Sequence, residues 1–143
     1  MPWRTEHSVE ARVSRERAWR YWTTVSNWTI DPAIEWVKID GPFACGALGE
    51  TKPVDGDPVR WAVVEIDEGE RAVIEVRVPG AVARFVWQFE QLAAERTRLT
   101  QTVTIEGPGG NAQAEQIGAE LEQGIGLGMR MLANAMERAA LPE

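Results

Sequence analysis

The hydrophobic periodicity of the chain changes once, at the turn sequence Gly107–Gly110, and this change constrains the fold more than any other feature. Before the turn, apolar residues mostly alternate with polar ones, which is typical of strands with one buried face. After it, from about Ala112 to Ala140, apolar residues recur at helical spacing. This stripe comprises Ile117, Leu121, Ile125, Met131, Leu132, Ala135, Met136 and Ala139. At ~1.5 Å per residue the helix would be about 40 Å long, enough to cross a whole sheet.

Seven segments before the turn have the alternation or the β-branched composition of strands. They are residues 3–13, 34–39, 48–52, 59–66, 72–78, 84–91 and 98–106. A short helix separates the first two segments, because Ser14 is a candidate N-cap and helical spacing follows until about Thr24. Residues 27–32 are predicted to form a loop or a short broken helix. The pattern therefore predicts a single α+β domain over residues 1–143, with a curved antiparallel sheet of about seven strands wrapped around the C-terminal helix.

Charge and composition argue against several classes of partner. A net charge of −7 disfavours nucleic acids and anionic lipid surfaces, because binding to either needs clustered Lys and Arg. No stretch approaches the ~18 consecutive apolar residues of a membrane span, and the polar first ten residues do not resemble a signal peptide. The one cysteine, Cys45, excludes an internal disulfide and fits a reducing compartment. We therefore expect a cytoplasmic protein with no nucleic-acid partner and no membrane insertion.

Several short motifs follow one another in a fixed order along the chain. They are Glu6-His7-Ser8-Val9-Glu10, Ala18-Trp19, Asn27-Trp28, Asp31-Pro32, Asp40-Gly41-Pro42-Phe43, Gly49, Lys52-Pro53 and Gly107-Pro108. Over nearly the whole chain, this order resembles the START-like superfamily of polyketide cyclases, lipid-transfer proteins and bacterial relatives. The resemblance implies a helix-grip fold with a cavity between the concave face of the sheet and the last helix. It does not imply one function, because the same fold serves binders, cyclases, hydrolases and co-chaperones.

Tryptophan is unusually frequent, with seven residues against one tyrosine and three phenylalanines. Its indole N–H needs a hydrogen-bond partner when buried, so this number indicates a roomy and partly polar interior. Trp19, Trp22, Trp28 and Trp61 are candidate pocket walls that would contact a small hydrophobic ligand, with a place in the core favoured for Trp19. The alternative for each of them is an ordinary place in the core.

A second group of candidate ligand contacts depends on the resemblance. In the START-like superfamily the first and last strands are neighbours, which would bring His7 close to Gln101. A hairpin that turns near Ala94 would pair Trp87 with Gln101. These three polar groups on an apolar wall could orient a ligand carbonyl or hydroxyl, and a neutral imidazole could move a proton. The alternative is a row that is satisfied by its own hydrogen bonds.

Three glycines interrupt the predicted C-terminal helix, and each costs roughly 1 kcal/mol relative to alanine. We expect Gly124 and Gly128 on the sheet-facing stripe and Gly126 on the opposite face. Either they allow close packing of the helix on the sheet, or they leave room for a ligand. In the second case Gly124, Gly128 and Met131 would contact the ligand.

Glu35 and Cys45 are two further candidates for a chemical role. Glu35 shares a predicted face with Val37 and Ile39, so its carboxylate is a candidate ligand contact or acid/base group. The alternative, a rim residue that reaches solvent or pairs with a cation, is favoured. Cys45 has no basic neighbour in the sequence, so a nucleophilic role is not expected. One histidine and one cysteine 38 positions apart match no metal-ligand spacing, so we expect no metal and no cofactor.

The sequence thus supports three functional hypotheses. The first is a binder or carrier of a small hydrophobic molecule, aromatic or lipid-like. The second is an enzyme that resembles polyketide cyclases and aromatases, and the third is a protein-interaction module like the Hsp90-activator relatives of this fold. The sequence is compatible with either a monomer or a homodimer.

Overall fold

The structure is a computed structural model that describes residues 3–78, 80–107 and 110–139, except for the side chains of residue 78 and of residues 110–123. Within these ranges the chain forms seven strands, two α-helices and one short 3-10 helix, η1. The elements are β1 (Trp3–Ala11), α1 (Arg15–Thr23), η1 (Val25–Ile30), β2 (Ile34–Ile39), β3 (Leu48–Pro53), β4 (Val59–Asp67), β5 (Arg71–Val78), β6 (Ala81–Ala93), β7 (Arg96–Glu106) and α2 (Gly110–Ala139).

The seven strands form one antiparallel sheet in the order β1-β7-β6-β5-β4-β3-β2. Strands β2 to β7 therefore pair with their neighbours in sequence, whereas β1 crosses over and pairs with β7. The sheet curls into a half-barrel, and α2 buries residues such as Met129 and Met136 in the same core cluster as the inner face of the sheet. The predicted helix-grip architecture is confirmed.

The first helix and the segment that follows it form where the sequence places them. The Ser14 side chain accepts a hydrogen bond from the Arg17 N–H at 3.3 Å, which caps the start of α1. The predicted loop or broken helix is η1. It ends at Asp31, whose Oδ1 accepts a hydrogen bond from the Ala33 N–H at 2.9 Å and turns the chain into β2.

Strand β2 departs from simple alternation because it contains a β-bulge. Ile34 pairs with Pro53 and Trp36 pairs with Lys52, so Glu35 is the extra residue between them. The predicted placement of Glu35 on the face of Val37 and Ile39 is therefore wrong. Its carboxylate is exposed and lies 2.9 Å from the Lys52 Nζ, as in the rim alternative.

The buried face of α2 is rotated relative to the predicted stripe. In the described part it comprises Ile125, Met129, Leu132, Ala133, Ala135 and Met136. Met131 is only half-buried, because it lies nearly opposite Met129 at 100° per residue, and Ala139 is exposed. The placement of Met131 on the sheet-facing stripe is corrected accordingly. The predicted stripe residues Ile117 and Leu121 lie outside the described side chains.

Candidate functional site

One end of the interior is filled by aromatic rings, here named the aromatic cluster. It comprises Trp19, Trp22, Trp28, Phe43, Trp61, Trp87 and Phe89. Trp22 of α1 is at its centre, with ring centroids 5.1 to 5.8 Å from five other rings, and is only 1% exposed. Such tilted and edge-to-face contacts each contribute about 0.5–1.5 kcal/mol beyond the burial of apolar area. The surroundings of Trp22 are therefore those of a core residue.

Two indole N–H groups of the aromatic cluster are satisfied within the protein. The Trp28 Nε1–H donates to the Trp22 carbonyl oxygen at 2.7 Å, and the Trp61 Nε1–H donates to the Thr51 Oγ1 at 2.9 Å. The Trp61 ring lies so close over Gly49 of β3 that a Cβ there would overlap it. The structure thus brings together the predicted wall residues Trp22, Trp28 and Trp61, and packs Trp28 against the other two.

His7, Gln101 and Trp87 lie side by side on three neighbouring strands and are here named the inner polar row. In the register of the sheet His7 pairs with Gln101 and Gln101 pairs with Trp87, as predicted. Adjacent strands are about 4.8 Å apart, so the three side chains leave the inner face as near neighbours. Trp87 also contacts the Trp22 ring at 5.2 Å, and therefore borders both the aromatic cluster and the row.

The inner polar row does not satisfy itself by mutual hydrogen bonds. His7 Nε2 shares a hydrogen bond of 3.4 Å with the Thr5 Oγ1, two residues earlier on the same face. Among the described residues, neither the Gln101 amide nor the Trp87 indole N–H has a hydrogen-bond partner, although the residues are only 8% and 9% exposed. No described side-chain polar atom is both fully buried and unbonded. The polar groups of Gln101 and Trp87 are therefore not bonded to any described part of the protein.

Helix α2 passes beside this row at Gly126. A Cβ at Gly126 would lie 3.5 Å from His7 Nδ1, an ordinary van der Waals distance, so Gly126 faces β1 and not the opposite side as predicted. Gly128 lies on the other flank of the buried stripe, where a Cβ would lie 2.7 Å from Asp31 Oδ2. Gly124 is exposed, and no described side chain lies within 4 Å of such a Cβ, so its predicted place on the sheet-facing stripe is corrected.

The sequence pattern missed Thr5 as the partner of His7, and it missed Gly126. The alternation of β1 already placed Thr5 on the face of His7, so an i, i+2 search for polar pairs would have found it. Gly126 could have been found by centring the helical stripe on Met129.

A surface groove of about 580 Å³ lies outside this interior, between α1 and the loop from β2 to β3. Its lining includes Trp19, Arg20, Phe43, Cys45, Ile66 and Glu68. The exposed Cys45 Sγ–H donates to the Val64 carbonyl oxygen at 3.4 Å. Among the described side chains, no group of three His, Cys, Asp or Glu residues is arranged to hold a metal ion. No described helix is long and apolar enough to span a membrane.

A family model and several solved structures match the chain. The family model, described as polyketide cyclase / dehydrase and lipid transport, matches residues 2–137. No curated protein matches the sequence. The Zhui aromatase/cyclase from Streptomyces sp. R1128 is 18% identical with a TM-score of 0.79, and the match covers 99% of this chain and 97% of that one.

Truncated norcoclaurine synthase from Thalictrum flavum is 11% identical with a TM-score of 0.75, over 100% of this chain and 96% of that one. The di-domain ARO/CYC BexL from the BE-7585A biosynthetic pathway is 17% identical with a TM-score of 0.74. That match covers 98% of this chain and 48% of BexL. At these identities the structures show a shared fold.

Proposed function

The chain belongs to the polyketide cyclase / dehydrase and lipid transport family, and from this premise we propose that it binds a small hydrophobic molecule between the sheet and α2. The fold supports the proposal because the concave face of the sheet and the long helix enclose an interior with apolar walls. The inner polar row lies on this face, where α2 passes at Gly126.

The state of Gln101 carries the proposal. The residue is only 8% exposed, and its amide has no hydrogen-bond partner among the described residues. An amide that has no partner in the protein can bond to a ligand instead. A residue that serves folding alone would be expected to be apolar here or bonded. A ligand that enters the space beside Gln101 gives the amide its partner.

A second candidate function is a cyclase-like reaction, and the position of His7 favours it. Its Nε2 is bonded to Thr5, and its Nδ1 has no partner among the described residues. A neutral imidazole in this state can accept or return a proton on a bound molecule. The fold shared with the Zhui aromatase/cyclase is compatible with such a role. A binder without catalysis needs fewer assumptions and is the leading proposal.

The first experiment asks whether anything occupies the interior. We expect native mass spectrometry of freshly purified protein to show an adduct of small mass that denaturation removes. In parallel, protein freed of any adduct is titrated with naphthalene, and we expect a higher melting temperature and altered tryptophan emission. The proposal fails if no adduct is found and naphthalene changes neither quantity.

A matched pair of variants locates the binding site. Gly126→Leu places a side chain beside His7, and we expect naphthalene binding to be lost. Gly124→Leu makes the same change on the same helix, but in open space at the surface, and we expect binding to be retained. Equal binding by both variants would contradict a site between α2 and the inner polar row.

A further inference from the structure

The surface groove between α1 and the loop from β2 to β3 has an apolar floor. Trp19, Phe43 and Ile66 line it, and each of them also packs against the core. The Trp19 ring contacts Phe89 edge-to-face, with centroids 5.2 Å apart. The Phe43 ring contacts Trp22 in the same way at 5.1 Å, so the core holds both rings from one side. Both residues stay half-buried, and a groove of about 580 Å³ is large enough for a small molecule.

Backbone hydrogen bonds fix the loop that forms one wall of the groove. The Gly46 N–H donates to the Val63 carbonyl oxygen at 2.7 Å, and the Val63 N–H donates to the Ala47 carbonyl oxygen at 2.9 Å. The neighbouring Cys45 lines the groove and donates its Sγ–H to the Val64 carbonyl oxygen. A ligand in the groove would therefore not have to order this wall, which removes one cost of binding.

The charged residues that line the groove leave one negative charge unbalanced. They are Glu16, Arg20 and Glu68. The Arg20 guanidinium lies 3.0 Å from a Glu16 carboxylate oxygen, so these two charges largely cancel. Glu68 is exposed and has neither an ion pair nor a hydrogen bond among the described residues. The net charge of −7 on the whole chain adds a field that attracts cations and repels anions.

An aromatic floor beside an unbalanced carboxylate fits an organic cation. The faces of tryptophan and phenylalanine rings attract an ammonium group that lies within about 6 Å of the ring centroid. A carboxylate at the rim adds Coulomb attraction for the same group. A neutral ligand would gain only the contact with the floor, and an anion would be repelled by the rim.

We propose that the groove is a second binding site, which takes a small organic cation with a substituted ammonium group. The ammonium group lies on the rings of Trp19 and Phe43, near the carboxylate of Glu68. This site lies outside the interior and shares no residue with the inner polar row, so it does not depend on the proposed function.

The single cysteine of the sequence allows binding in the groove to be measured directly. Cys45 is exposed and lines the groove, so its alkylation by the neutral reagent iodoacetamide, followed by intact mass, measures access to this one place. Three probes share a benzene ring: benzyltrimethylammonium, benzyl alcohol and phenylacetate. At neutral pH and constant ionic strength we expect benzyltrimethylammonium to slow alkylation, with an affinity about tenfold above that of benzyl alcohol. Phenylacetate should not slow it.

Two outcomes of this experiment would overturn the proposal. If benzyltrimethylammonium does not protect Cys45, the groove is not a site for organic cations. If benzyl alcohol or phenylacetate protects Cys45 at the same concentrations as the cation, the groove does not select for positive charge.

A matched pair of glutamate variants tests the role of the rim. Glu68→Gln should weaken the binding of benzyltrimethylammonium by about three- to fivefold and leave that of benzyl alcohol unchanged. Glu106→Gln makes the same change in net charge and should keep the affinity. In the register of the sheet Glu106 lies level with Arg77 of β5. Glu68 follows Asp67, which pairs with Arg71 at the other end of β5, so the two glutamates are about 20 Å apart along the sheet. Equal affinities of the two variants for the cation would contradict a role of Glu68.

A third variant separates the groove from the interior. Gly126→Leu places a side chain beside His7, between α2 and β1, and changes nothing in the groove. We expect benzyltrimethylammonium to protect Cys45 in this variant as it does in the natural protein. Loss of protection would mean that the cation binds in the interior, and the proposal of a second site would be overturned.

Discussion

The two ends of the interior differ in how completely their polar groups are used. In the aromatic cluster, Trp28 and Trp61 donate their indole N–H groups to the protein, and Trp22 is surrounded by rings. In the inner polar row, the polar groups of Gln101 and Trp87 have no hydrogen-bond partner within the ranges that the structure describes. Tryptophan occurs at both ends: Trp28 and Trp61 have partners for their indole N–H groups, whereas Trp87 has none among the described residues.

This difference separates a part that holds the fold from a part that is available for binding. Ring packing at the aromatic cluster contributes stability at every contact. At the row, Gln101 makes no hydrogen bond to the described residues that its substitution would remove, so an apolar replacement there should stabilise the unliganded protein slightly. Mutations at the two ends should therefore have opposite signs.

The largest expected effect is at the centre of the aromatic cluster. Trp22→Ala removes the ring that contacts five others, and we expect the free energy of unfolding to fall by about 3–5 kcal/mol in denaturant titrations. Trp36→Ala is the control, because Trp36 is half-buried beneath the exposed Lys38 Nζ at 4.8 Å. We expect the control to cost about 1 kcal/mol. Similar losses of unfolding free energy in Trp22→Ala and Trp36→Ala would contradict a special contribution of the aromatic cluster to stability.

A substitution in strand β3 tests how tightly the aromatic cluster is packed. Gly49→Ala places a methyl group where the Trp61 ring lies, and we expect a loss of about 1–3 kcal/mol in the same titration. A variant as stable as the natural protein would mean that the Trp61 ring moves aside easily, and the contrast between the two ends would weaken.

Two buried polar residues of β7 are expected to respond with opposite signs. Thr97→Val removes the hydrogen bond to Val13 and should lower the free energy of unfolding by about 1 kcal/mol. Gln101→Leu replaces an amide that has no described partner with an apolar side chain on the inner face, and should raise the free energy of unfolding of the unliganded protein by about 1 kcal/mol. Thermal melts of adduct-free protein measure both. Destabilisation by Gln101→Leu would indicate that the amide has a structural partner.

The smallest effects are expected at two glycines of α2. Gly126→Ala meets His7 at ordinary contact distance, so the gain in helix propensity should stabilise the protein by up to about 1 kcal/mol. At Gly128 the new methyl group meets the Asp31 carboxylate, so the same gain should be largely cancelled. Combining Gly128→Ala with Asp31→Ala should restore the gain relative to Asp31→Ala alone. Equal melting temperatures for Gly126→Ala and Gly128→Ala would contradict this reading.

The sheet could be predicted from sequence because its signals are local. Alternation gave the faces of β1 and β7, and with the expected neighbourhood of these strands it placed His7, Gln101 and Trp87 in one row. The bulge that exposes Glu35 was not predictable, because one extra residue in β2 leaves the residue types unchanged.

The glycines of α2 were misplaced for a different reason. Their contacts, His7 for Gly126 and Asp31 for Gly128, come from parts of the chain more than 90 residues away. A helical stripe gives the approximate direction of the core, but not which neighbour approaches each flank. The mutual packing of Trp22, Trp28 and Trp61 is likewise tertiary, and alternation could not separate wall from core.

The pairing of β1 with β7 has a consequence for how the chain acquires its structure. Glu6 and Thr102, which are hydrogen-bonded across these strands, are 96 residues apart. During synthesis β1 emerges first, yet its partner emerges only after β2 to β6, whose hairpins can form in sequence. Such a long-range closure slows folding, because the chain loses loop entropy before the contacts form. Until β1 docks, the outer edge of β7 stays open to other strands, so the nascent chain is most vulnerable to aggregation just before this final step.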